Sequence, residues 1–98
     1  MYERNLDMAY ITKELALKIA KKLNARIRHT TKAHDIAEIF HQGRLIATFG
    51  IRRGSNKNLG HDHIPQQIFI GARDARLLGQ CPMSKEQWLQ IVTDKGMT

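Results

Sequence analysis

The sequence predicts a small α+β domain with elements ordered α-β-β-β-(β)-α-α, a small antiparallel sheet packed by helices on one face. Three observations carry that prediction. Residues 12–24 have helical periodicity, Gln42-Gly43 marks a tight turn between two apolar segments, and Ser84 with Gln87 forms a capping box. The 98 residues, 1–98, are read as one domain, with a hydrophobic content of 42% and a charged content of 26%, both ordinary for a globular chain.

The first helix is "TKELALKIAKKLN", with Thr12 as its cap. Leu15, Ile19 and Leu23 recur every fourth position, Ala16 and Ala20 stand beside them, and Lys18, Lys21 and Lys22 occupy the opposite arc. Residues 25–31, "ARIRHTT", alternate as a strand, with Arg26, Arg28 and Thr30 on one face. Residues 36–41 and 44–51 then read as a hairpin closed by Gly43, a residue that enters positive φ without strain. Pairing Phe40 with Leu45 and Ile36 with Phe49 gives one apolar face, on which Glu38 is out of place. Pro65 is read as barring a helix, so that "QIFIG", 67–71, is expected to form a short strand. A short helix is expected at 72–80, and a last one at 84–95 with Trp88, Ile91 and Val92 buried and Gly96 as its stop.

Sixteen Lys and Arg against nine Asp and Glu leave a net charge of +7. That balance points to a polyanionic partner, nucleic acid rather than membrane; RNA is favoured over DNA on the histidine chemistry and the resemblance given below. The single cysteine, Cys81, excludes an internal disulfide, and no apolar run approaches a membrane span. The N-terminal residues lack the apolar core of a signal peptide, so a cytoplasmic setting is expected.

Residues 52–68, "RRGSNKNLGHDHIPQQI", gather most of the polar chemistry. Arg52, Arg53, Ser55 and Lys57 surround Gly54, a composition suited to phosphate contact. The spacing is not that of a phosphate-binding loop, so nucleotide hydrolysis is not supported. Lys18, Lys21 and Lys22 extend the expected nucleic-acid-binding set.

His61 and His63 stand two apart, on one side of an extended chain. As a catalytic pair they would deprotonate a 2′-hydroxyl and protonate the leaving oxygen in RNA cleavage, without metal or cofactor. Two other readings stay open: a histidine chelate completed by His29, His34, His41 or Cys81, and a structural loop in which Asp62 caps a turn. The aromatic residues are not spaced as a base-stacking platform. A non-catalytic nucleic-acid-binding domain, or a module that docks a protein through its C-terminal helix, are the alternatives to an enzyme.

An N-terminal helix, a three-stranded meander, Gly54-Ser55 at the strand exit and a closing helix make residues 12–80 resemble the HicA-type mRNA interferase toxins. The resemblance implies a double-stranded-RNA-binding-like fold, endoribonuclease activity through a histidine, and a protein antitoxin as partner. The family's Gly-Ser-His is matched only by Gly54-Ser55, since Asn56 stands where its histidine would be. No catalytic residue carries over, and His61 or His63 would have to substitute. The helix at 84–95 exceeds the family's minimal pattern.

Overall fold

A computed structural model describes residues 11–54, 60–80 and 83–96. Its elements are α1 (Lys13–Lys22), β1 (Arg26–Arg28), β2 (His34–His41), β3 (Arg44–Arg52), α2 (Ile64–Gln67), α3 (Ala72–Gly79) and α4 (Lys85–Asp94). The three strands form one antiparallel sheet in the order β1-β2-β3. The expected α+β class is therefore present.

Local chemistry sets the helix ends. The Thr12 hydroxyl accepts the Leu15 N–H at 3.2 Å and opens α1, and Asn24 at φ 57° turns the chain out of it. In α4 the Gln87 N–H donates to Ser84 Oγ at 3.1 Å, and the Ser84 N–H donates back to Gln87 Oε1 at 2.8 Å. Trp88 is fully buried and its indole N–H donates to the Ile68 carbonyl at 3.0 Å. That burial argues against Trp88 as the anchor of a docked protein. Gly79 brings α3 onto α1, since a Cβ there would lie 2.6 Å from Leu15 Cδ1 and 3.0 Å from Ile19 Cγ1.

The hairpin turn is as expected, with Gln42 at φ 53° and Gly43 at φ 78°. Its register is not. Phe40 does face Leu45, but a bulge between Ile39 and Phe40 shifts the rest by one, so that Ile36 meets Gly50 and Ala37 meets Phe49. One extra residue exchanges the faces of the sheet. Ala37 and Ile39 join Ala47, Phe49 and Ile51 in the core with Leu15, Ile19, Ile64 and Leu78, and Glu38 moves to the opposite, open face. The misplaced carboxylate of the simple register is resolved by the bulge.

Two further expectations are corrected. The first strand is three residues long, Arg26–Arg28, rather than running from 25 to 31. Residues 67–71 do not form a strand. Pro65 opens the short helix α2, because a proline in the first turn gives up an N–H that has no helical partner there. The i, i+4 pair Ile64 and Ile68 is buried beneath it, and the Ile68 N–H donates to the Ile64 carbonyl at 3.0 Å.

Candidate nucleic-acid interface

β3 is an edge strand, and an edge strand carries main-chain groups without a strand to pair with. The segment 60–67 satisfies them with side chains. His61 Nε2 accepts the Arg52 N–H at 2.9 Å, His63 Nε2 donates to the Gly50 carbonyl at 2.9 Å, and Gln67 Oε1 accepts the Gly50 N–H at 3.2 Å. The same segment is tied to the start of α1. His61 N–H donates to the Ile11 carbonyl at 2.8 Å, Asp62 Oδ1 accepts the Ile11 N–H at 2.5 Å, and Thr12 bridges Gly60.

The two imidazoles expected to act together are neighbours, with centroids 5.5 Å apart. Their surroundings differ. His61 is fully buried, whereas His63 is half-buried and lines a cavity of about 340 Å³ on the open face of the sheet. The His61 ring is shut away from solvent and holds a main-chain N–H. No group of three metal-ligating side chains occurs among the described residues.

His34 lines the same cavity as His63. The cavity walls include Thr30, Lys32, His34 and Gln67, with Gly50 as the floor. His34 and His63 both reach Gly50. A Cβ at Gly50 would lie 3.4 Å from His34 Cδ2, while His63 holds the Gly50 carbonyl. Sequence reasoning named His34 only as a possible metal ligand and Thr30 only as a strand-face residue, and it did not single out Lys32 or Gln67. The signal for His34 was the alternation of β2, which puts it with Ile36 and Glu38 on the face opposite Ala37 and Ile39.

Among the described residues the expected cations do not converge. Arg52 is exposed at the end of β3. Arg53 is tied down, its Nε donating to Asp35 Oδ1 at 2.9 Å and its Nη2 to the Thr30 carbonyl, close to the cavity wall. Its guanidinium holds the Asp35 carboxyl below the usual carboxylate value against a smaller opposing effect of burial, and His29, 3.2 Å away, adds to the lowering. Ser55 and Lys57 lie outside the described residues. Lys18, Lys21 and Lys22 line a separate cavity of about 540 Å³ with Gly79 and Gln80, on the helix that covers the apolar side of the sheet. The open face carries arginines of its own, Arg26 and Arg28, set over Glu38.

Comparison with protein-family models, curated proteins and solved structures returned no match.

Proposed function

We propose that this chain is a small basic RNA-acting domain that cleaves RNA at the cavity beside Gly50, with His34 and His63 in place of the adjacent pair His61 and His63. The observation that carries the proposal is the meeting of two accessible imidazoles at one glycine, on a face bordered by Arg26, Arg28 and Lys32. An imidazole serves as both acid and base near neutral pH.

A carbonyl oxygen only accepts, so His63 donates from Nε2 to Gly50, and Nδ1 is the ring nitrogen left to face a substrate. In the proposed mechanism His63 is given the role of base through Nδ1 and His34 that of acid. His63 takes the proton of a ribose 2′-hydroxyl as that oxygen attacks the adjacent phosphorus, and protonated His34 gives a proton to the departing 5′-oxygen. The products are a 2′,3′-cyclic phosphate and a 5′-hydroxyl end. Lys32 offsets the charge that gathers on the phosphorane. RNA is preferred to DNA because the attacking group is the 2′-hydroxyl.

Binding without cleavage is the second reading, favoured by the hydrogen bond that engages His63 with the strand edge. The resemblance to the HicA-type toxins belongs with the first reading, as do a protein antitoxin and a cytoplasmic setting. Among the described residues no helix is long and apolar enough to cross a membrane.

Incubation with mixed-sequence RNA, with and without EDTA, tests the proposal. Cleavage that persists in EDTA and leaves cyclic phosphate ends supports it. Affinity that falls steeply with salt while the RNA stays intact supports the second reading. Intact RNA with no binding at low salt overturns both.

A further inference from the structure

We propose that Arg26, Glu38 and Arg28 form a phosphate clamp on the open face of the sheet, taking an RNA phosphodiester outside the bond that is cut. The proposal rests on the reading of this face as the RNA site. The sheet register dictates the grouping. Arg26 lies opposite Glu38 and Arg28 opposite Ile36, so both guanidinium groups rise on the face where Glu38 emerges between them.

Arg28 Nε donates to Glu38 Oε2 at 3.1 Å, and Arg26 Nε stands 3.4 Å from Oε1. Arg28 is thus hydrogen-bonded to one oxygen of the carboxylate, while Arg26 forms an ion pair with the other, Oε1, which is buried without a hydrogen-bond partner among the described residues. Both contacts to the anchor are made through Nε, and a guanidinium carries two further terminal nitrogens that can match phosphate oxygens. Arg26 has a second restraint, its guanidinium carbon lying 5.4 Å from the centre of the Phe40 ring.

Exposure decides what a ligand would meet. The arginine side chains are 72% and 54% exposed, and the Glu38 side chain is 11% exposed beneath them. An approaching phosphate meets two held guanidinium groups, while the carboxylate that orders them is covered. Ordering the side chains beforehand reduces the entropy lost on binding. Glu38 and His34 stand four positions apart on the same face of β2, roughly 13 Å at about 3.3 Å per residue. The clamp and the cavity thus lie along one strand, able to engage one RNA chain at two places.

Two kinds of substitution test the clamp by electrophoretic shift and fluorescence titration of a labelled single-stranded RNA oligonucleotide over a range of salt. Arg26→Ala and Arg28→Ala should each weaken binding about tenfold and lower the slope of log affinity on log salt by about 0.7. Glu38→Gln separates a clamp from diffuse charge, because the two predict opposite signs. Removing a negative charge strengthens binding if net charge alone matters, whereas loss of the anchor weakens it several-fold if the arginines must be held.

Glu38→Asp keeps the charge but draws the carboxylate back, and it should weaken binding as well. Melting curves identify any variant that fails to fold. In the Arg26→Ala/Arg28→Ala background, Glu38→Gln should produce no further weakening. Unchanged salt slopes in the arginine variants, or a Glu38→Gln protein that binds as well as the parent or better, would overturn the clamp. Cleavage abolished through His34 and His63 with the arginine variants binding normally leaves the catalytic site standing and removes the clamp. Clamp-dependent binding by a parent protein that cuts nothing does the reverse.

Discussion

His61 Nε2 accepts the main-chain N–H of Arg52 at 2.9 Å in a fully buried setting. The bond holds residue 61 against the free edge of β3 and leaves the ring neutral, with its proton on Nδ1.

His61→Ala should therefore act on stability. Loss of the buried ring and of the partner for the Arg52 N–H should cost about 3 kcal/mol, read as a lower denaturant midpoint. RNA affinity at a temperature where the variant is folded should change little. Unaltered melting with abolished RNA activity would return His61 to the catalytic pair.

The C-terminal helix offers a graded test of packing against capping. Trp88→Ala removes a fully buried indole and should cost roughly 3 kcal/mol or more. Ser84→Ala removes the hydroxyl that accepts the Gln87 N–H and should cost about 1 kcal/mol. Thermal melting of the two variants side by side gives the order. Equal melting of Trp88→Ala and the parent would place Trp88 outside the core.

Helix chemistry was legible in the sequence because its signals are local. Thr12, Ser84 and Gln87 cap within one turn, and the turn at Gln42-Gly43 needs only two residues in positive φ. The bulge was not legible, since the extra residue gains its advantage from the whole sheet, by turning Ala37 and Ile39 toward α1. Pro65 was misread for a related reason: a proline that stops one helix can start another. Of the candidate site, His63 was found directly. His34 was raised only as a possible metal ligand, because a hairpin separates it from His63 in sequence and only the folded sheet brings both to Gly50.

Asp35 carries a pH prediction. Its carboxyl is held below the usual value, first by the hydrogen bond from Arg53 and then by His29, with burial opposing them. A lowered carboxyl stabilises the fold while ionised, so its contribution is complete above the usual carboxylate range. It disappears as pH falls through the lowered value. The gap in melting temperature between the parent and Asp35→Asn should shrink as pH falls below the usual carboxylate range and close in acid beneath the lowered value. A gap that persists unchanged at the acid end would show that the pairing with Arg53 does not depend on the charge of Asp35.

The rate of RNA cleavage under single turnover, compared between the parent, His34→Ala, His63→Ala and His61→Ala, tests the central claim most directly. His34→Ala and His63→Ala should each slow cleavage at least about a hundredfold, with RNA still bound. His61→Ala, measured where it is folded, should keep most of the rate. RNA carrying a 2′-deoxy sugar at the cleavage position should remain intact. Full activity in His34→Ala and His63→Ala, or scission at the 2′-deoxy position, would contradict the account.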